Sequence, residues 1–362
     1  MTLPKKVLLY ESLRLGHRET IIGYVTSILS QAGVPFVLIR DPCDPRNELA
    51  ELNEIALREH CTLVHVLSAD GGGPRWIKEL ALHPGWRPSV PFVGTYYLYS
   101  NLYKLVSGLG WDFLHARCFA KLLISDDYLS GRVIPPWRRR YLSYLPDPWA
   151  PEEFRKVSRS DAEALLQLPS GKKRFLLFGD LSARKGLDLI IRAAAAVPSE
   201  ANFELLLVGK LEPSLRQTAE YRLLQELVES GRATLCDQYV PEDTVSTYFY
   251  ACDFVLCCYP RWFKVSSGTF TRACAAGKPV IAAAHGVIGH LVKELKLGMV
   301  FETGSVNSLR RVFEEAYSPS CNLESFFDQN AAGQLADDRS IDHYARVLLI
   351  EYQCSQKQLA EC

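Results

Sequence analysis

Short apolar runs alternate with helical patterns along most of this chain, and the series starts twice. Val7–Tyr10 (VLLY) leads into a loop with Leu15-Gly16-His17 and a helical pattern over Glu19–Gln31, which Gly33-Val34-Pro35 stops. Phe36–Ile39, Thr62–Leu67, Phe92–Thr95 and Leu122–Ser125 read as further strands, with a helix at Glu48–Glu59 and a glycine-rich turn at Ala69–Pro74. Strands that alternate with helices in this way indicate a parallel sheet with helices on both faces. Pro135, Pro136, Pro146, Pro148 and Pro151 then interrupt regular structure. The pattern restarts at Arg174–Gly179 (RFLLFG). It continues through a helix at Leu187–Val197, a strand at Glu204–Gly209, a helix at Pro213–Ser230, a strand at Ala233–Cys236 and a helix at Glu242–Ala251. Strands at Phe254–Cys258, Val280–Ala284 and Met299–Glu302 complete the second series. The expected class is α/β, two Rossmann-like doubly wound domains facing across a cleft. They are placed at 1–165 and 166–339, and the helix at about 340–362, clearest over Ile341–Gln353, is expected to pack back on the first domain.

Composition narrows the function classes. A chain of 362 residues with 48% hydrophobic and 23% charged residues reads as a soluble globular protein with two cores. Acids and bases balance at 41 each, so no net field recruits nucleic acid. The apolar runs are too short to span a bilayer, and Met1–Tyr10 reads as a first buried strand rather than a signal peptide. The eleven cysteines contain no CxxC pair and read as reduced, buried thiols of a cytoplasmic protein. No metal site is expected.

The segment Cys257–Val280, CCYPRWFKVSSGTFTRACAAGKPV, carries the strongest functional signal. An apolar strand ends near Cys258, a Ser266-Ser267-Gly268-Thr269 turn follows, and a helix of small residues runs to Gly277. Such a turn aims several backbone N–H groups and the positive end of the helix at one spot, where a phosphate would sit. The plainer alternative is a strand–helix–strand unit whose small residues only permit close packing.

The second half resembles the donor-binding domain of GT-B glycosyltransferases, specifically the large retaining class called family 4. The resemblance rests on FGDLSARKGLDLII (Phe178–Ile191), LLLVGK (Leu205–Lys210), YVPEDTVSTYFYACDFVLCCYP (Tyr239–Pro260) and ACAAGKPVIAAAHGVIGHLV (Ala273–Val292), in order and at family spacing. The first half is similar only through a strand, a loop with Gly16-His17 and a helix. The resemblance implies a hexosyltransferase-like enzyme. It would move a sugar from a nucleotide-diphosphate donor to a hydroxyl of a carbohydrate, lipid-linked or small-molecule acceptor held by the N-terminal domain. Such enzymes usually need neither metal nor other cofactor, because protein cations and helix termini neutralise the diphosphate.

Several positions depart from the family pattern. Gly179-Asp180 stands where the family has Gly-Arg, while the family lysine is present as Lys185, with Arg184 beside it. The family's pair of glutamates falls on Lys264 and Arg272, its histidine after the Pro91–Thr95 strand on Tyr97, and its later glutamate on His290. Two bases in place of two acids leave a cationic pocket around Lys185, Lys264 and Arg272, suited to a diphosphate; the site reads as rebuilt rather than abandoned. The Ser-Ser-Gly turn is also similar to one in a bacterial subset of these enzymes.

The candidate donor-binding residues are therefore Arg184, Lys185, Lys264, Ser266, Ser267, Gly268, Thr269 and Arg272. A lysine at a helix start opposes the helix dipole unless an anion is near, which favours a ligand role for Lys185. Arg184 faces either ligand or solvent, and Arg272 reads either as a phosphate contact or as a surface salt bridge. Asp180 is placed to brace Lys185 or Arg184. On the acceptor side, His17 and Asp70 are candidates for acid–base catalysis, and Gly16 and Tyr97, each near a strand end, are further acceptor-side candidates. The bland readings are a locally bonded helix start for His17, a simple turn around Asp70, and packing for Tyr97. Trp137 with Arg138, Arg139 and Arg140 makes a basic-aromatic cluster that suits the inner face of a membrane, or is a solvated charge run. Two rival readings stay open: a catalytically inactive GT-B-fold protein that binds a glycan or partner, and a GT-B epimerase or phosphorylase.

Overall fold

A computed structural model describes residues 2–12, 17–41, 43–97, 109–125, 136–150 and 154–358. The chain divides into two compact units. The first runs to Pro148 and regains the chain at Ile341; the second spans Trp149–Ser340.

The first unit contains β1 (Val7–Tyr10), α1 (His17–Gln31), β2 (Phe36–Ile39), α2 (Glu48–Arg58), β3 (Leu63–Val66), α3 (Gly73–Leu82), β4 (Phe92–Tyr96), α4 (Leu109–Arg117), β5 (Phe119–Ile124) and β6 (Leu142–Tyr144). All six strands are parallel, in the order β2-β1-β3-β4-β5-β6. The short strand β6 was not expected among so many prolines; it forms because Leu122–Ile124 offers an open edge to Leu142–Tyr144. β5 begins at Phe119, three residues ahead of the expected start. Alternation divides β1 between two cores: Leu8 and Tyr10 pack with Val64 and Val66, while Val7 and Leu9 pack on the opposite face.

The second unit contains α5 (Arg159–Leu165), β7 (Lys173–Phe178), α6 (Leu187–Ala195), β8 (Phe203–Val208), α7 (Ala219–Glu229), β9 (Ala233–Cys236), α8 (Glu242–Ala251), β10 (Phe254–Cys257), α9 (Gly268–Ala275), β11 (Val280–Ala283), α10 (Gly286–Glu294), β12 (Gly298–Phe301), α11 (Val306–Tyr317) and α12 (Gln329–Asp337). Its parallel sheet has the order β12-β11-β10-β7-β8-β9. Phe175, Leu177, Leu205 and Leu207 fill one face, and Leu176, Leu206 and Val255 the other. The helix expected over Pro213–Ser230 is divided: a 3₁₀ turn ends at Gln217, and the Thr218 side chain accepts from Tyr221 N to cap α7.

The units meet along the chain at Pro148/Trp149, not at 165/166. Charge explains the difference. Arg159 of α5 bonds Asp253 and Glu163, and the fully buried Arg174 of β7 bonds Glu163 at 2.6 Å and Glu204 at 2.9 Å, so α5 is tied to the second sheet. The last helix, α13 (Ile341–Gln358), lies on the first sheet. Tyr344, Leu348 and Tyr352, four residues apart, are fully buried against Val7, Leu9 and Leu63. The Tyr352 hydroxyl lies 2.6 Å from His65 Nδ1, and Thr95 Oγ1 lies 2.7 Å from His65 Nε2. Burial pulls the His65 pKa down to about 3, so the ring works here as a neutral bridge. Among the described residues no helix is long and apolar enough to cross a membrane.

Candidate active site

The order of the second sheet reverses between β7 and β10, so their carboxyl ends mark the switch point at which open α/β sheets take ligands. β7 is followed by Gly179, whose φ of +100° favours glycine. A Cβ there would lie 3.2 Å from the Lys185 ammonium, so the absent side chain leaves that space to the lysine. Gly186 follows at φ +75°; a Cβ would sit 2.0 Å from the Cys258 carbonyl oxygen, and only glycine lets the start of α6 approach the end of β10 so closely.

Lys185 reaches inward from this turn. It is 5% exposed, its Nζ donates to Thr269 Oγ1 at 2.9 Å, and it lies 5.5 Å from the centroid of the Tyr259 ring. Burial pulls its pKa from 10.5 to about 8; Cys257 and Asp180 oppose the fall, while Arg184 and Arg272 add to it. Asp180 supports the ammonium only at range, because its carboxylate pairs with Arg184 at 3.1 Å. A buried ammonium without a carboxylate of its own is primed for an incoming anion.

Thr269 belongs to the first turn of α9, and here the cap is unusual. Ser267 occupies the N-cap position in an extended conformation, yet its side chain does not cap the helix. Its hydroxyl lies 2.6 Å from the Tyr259 hydroxyl instead. Phe270 and Thr271 N–H close back on Ser267 O, which leaves the Gly268 and Thr269 amides with no protein partner among the described residues. Two open amides, a helix start and a buried ammonium converge on the Ser267–Thr269 turn.

The other expected donor-side residues are less central. Ser266 is held from behind by Arg339, a residue that sequence reasoning missed. Lys264 is exposed, and its backbone is gripped: Val287 N donates to its carbonyl at 3.0 Å, and Gly286 packs against its Cα. His285, also missed, fixes the same loop, with Nε2 facing Pro260 O at 3.0 Å and Phe263 O at 2.9 Å. Arg272 forms an ion pair with Glu242 at the start of α8, and Arg184 sits at the surface with Asp180. His290 lies 3.8 Å from Glu294 on α10.

In the first unit the order reverses between β1 and β3, and charged residues gather at their carboxyl ends. Glu11 follows β1 and is 3% exposed; the Ser68 hydroxyl after β3 donates to it. Arg18 of α1 lies 3.6 Å from Glu11 and 3.8 Å from Asp70, and 5.7 Å from the centroid of the Tyr97 ring. Asp70 also accepts from Tyr97 N at 3.3 Å. Asp70 and Tyr97 thus meet directly, and Arg18 and Glu11, which sequence reasoning passed over, stand beside them. Glu11 stands directly after the first apolar run, a position that could have flagged it. Gly16 and the His17 side chain lie outside the described residues. Among the described residues no three His, Cys, Asp or Glu side chains gather into a metal-holding group.

Residues 159–334 match the family model described as glycosyl transferases group 1. The second unit belongs to that family. The D-inositol 3-phosphate glycosyltransferase of a Nocardioides species is 26% identical over 226 residues, which cover 58% of this chain and 47% of that protein. The match thus spans about half the length of this curated relative. Among solved structures, HepE of Anabaena in complex with UDP is 15% identical, covers 99% of this chain and 100% of its own, and superposes with a TM-score of 0.67. A sucrose-phosphate synthase from Thermosynechococcus elongatus is 17% identical, covers 99% and 98%, and has a TM-score of 0.62. The chain therefore has the two-unit α/β fold of GT-B glycosyltransferases. Within its group 1 glycosyl transferase unit, the matched residues include Lys185 and the whole Ser266–Arg272 segment.

Proposed function

We propose that this protein transfers a sugar from a nucleotide-diphosphate donor to the hydroxyl of an acceptor. The observation that carries the reading is Lys185: an ammonium buried at the sheet's switch point, bonded to Thr269, beside a helix start whose cap serine leaves two amides open. The diphosphate lies against Gly268 and Thr269 N–H with Lys185 beside it, so charge that develops on the leaving nucleotide meets preorganised donors. Protein groups supply this stabilisation, and the reaction needs no metal or other cofactor. The family assignment and the UDP held by the HepE structure favour a nucleotide-sugar, with a hexose the natural cargo. The acceptor, a carbohydrate or a lipid-linked sugar, is held by the first unit near Asp70, Arg18 and Tyr97.

The protein works in the cytoplasm and touches a membrane surface through Trp137, Arg139 and Arg140, all exposed, with Trp137 63% accessible. Arg138 is not part of that surface, because it forms a two-pronged pair with Asp112. Anionic liposomes should retain the protein at low salt and release it as salt rises. Equal retention by neutral and anionic liposomes contradicts this part of the reading.

The donor is tested by thermal unfolding with UDP-, GDP- and ADP-sugars. A ligand at a hundred times its Kd adds about 2.7 kcal/mol of stability. One nucleotide series should raise the unfolding temperature clearly; no response to any of the three counts against the proposal.

A further inference from the structure

We infer that Arg339 is a positioning residue of the diphosphate site, acting through Ser266; the inference rests on the donor site proposed above. Arg339 follows α12 and is 2% exposed. Its Nη1 donates to Ser266 Oγ and, at 3.3 Å, to Thr271 Oγ1. Its guanidinium carbon stands 5.6 Å from the centroid of the Phe270 ring. Nε is buried and has no hydrogen-bond partner, and no carboxylate pairs with the group among the described residues. Arg174 shows what this unit ordinarily does with a buried guanidinium: it supplies Glu163 and Glu204. Arg339 has two hydroxyls and an aromatic face, all three from the segment that opens and builds α9, and no anion among the described residues. A permanent cation kept in the interior without a counter-charge is costly, and an anion bound nearby offsets that cost.

The hydrogen bonds say how the charge is delivered. Nη1 takes a lone pair of Ser266 Oγ, so the one proton of that hydroxyl is left to point elsewhere. A hydroxyl that accepts from a cation is itself a stronger donor. Ser266 stands one residue before the cap of α9, next to the turn that carries the open Gly268 and Thr269 amides. A diphosphate oxygen that accepts from Ser266 brings its negative charge to within one hydroxyl of the buried guanidinium. The arginine is a fixed post: its N–H donates to Ala336 O at 3.1 Å, its carbonyl accepts from Trp149 N at 3.1 Å, and the Trp149 indole donates to Ala336 O at 2.7 Å. Ser266 is thereby held in the rotamer that binding requires, before any ligand arrives.

The test is a cycle of Arg339→Met, Ser266→Ala and the double variant, with Arg339→Lys as the conservative control. Calorimetry measures UDP, GDP, ADP and inorganic pyrophosphate, with the matching nucleosides as references. Each single change should weaken pyrophosphate and the preferred nucleoside diphosphate roughly tenfold, and the nucleoside little. The double variant should be no weaker than the worse single one, because both changes break one path. Arg339→Lys should recover most of the loss. Arg339→Met should unfold at the same temperature as the parent or higher in the absence of ligand, which a merely structural arginine would not allow. Parent-like pyrophosphate binding in Arg339→Met, or losses that multiply in the double variant, overturns the inference. If the arginine variants do not fold, parent-like pyrophosphate binding by Ser266→Ala overturns it equally. If the parent binds none of the four probes, the proposed function falls. The inference is then read from amide hydrogen exchange over residues 265–271, which both single variants should speed alike and which, unchanged, refutes it.

Discussion

Replacing Lys185 by methionine should make the unliganded protein more stable and a poorer binder at the same time. The lysine ammonium is buried, and its pKa falls from 10.5 to about 8, which corresponds to about 3 kcal/mol against the charged form. Because the folded pKa lies below the unfolded one, the unfolded chain holds more protons between about pH 8 and 10.5, and stability rises with pH through that window. The penalty is full below about pH 8. Methionine fills a similar volume without the charge, but forfeits the bond to Thr269, a loss of about 1 kcal/mol. The net gain should be about 1–2 kcal/mol at pH 7, vanish at about pH 10 and turn into a small loss by pH 10.5, where the charge penalty is nearly gone and the lost bond remains. Binding should move the other way. Losing a charge-assisted bond of about 1.5–3 kcal/mol weakens a nucleoside diphosphate roughly ten- to a hundredfold. In the parent, that affinity should fall by about tenfold per pH unit above 8, as Lys185 loses its proton, while the methionine variant shows no such slope. Urea unfolding at pH 7 and pH 10, with calorimetric titration of UDP, GDP and ADP over the same range, reads both effects. A less stable variant that still binds within threefold of the parent would refute the reasoning and make Lys185 a packing residue.

Arg272→Ala should weaken diphosphate binding by less than tenfold, because Glu242 already neutralises the arginine; calorimetry beside the Lys185 variant checks the order of the two losses. Glu163→Ala strips one of two carboxylates from the fully buried Arg174 and should cost about 3 kcal/mol, read as a lower urea midpoint at unchanged slope.

Most strands were legible in the sequence because they are apolar on both faces, as in RFLLFG and VLLY, and nothing in a polar-out pattern competes with that reading. The boundary was misplaced for a reason of charge: the Arg159–Glu163–Arg174–Glu204 network that ties α5 to the second sheet joins residues whose partnership has no local signature. The site divides in the same way. Lys185 and the Ser266–Thr269 turn follow strand ends, and strand end, turn and helix start together mark a candidate anion site in sequence. Arg339, 73 residues from Ser266, carries no such mark. Nor does Tyr259 as the partner that draws Ser267 off its cap, since only the fold turns the two hydroxyls toward each other. Glu11 and Arg18 were passed over because their meeting with Asp70 depends on the order of β1 and β3 in the sheet.

The central claim is that this site cleaves a nucleotide-sugar, and release of the nucleoside diphosphate tests it most directly. The protein is incubated with UDP-, GDP- and ADP-glucose, each with water alone and with a mixture of simple sugar acceptors. One nucleotide series should be consumed with release of its diphosphate, and Lys185→Met should slow that release by roughly a hundredfold. Release from none of the three above the protein-free rate, or equal release by the parent and Lys185→Met, would contradict the account.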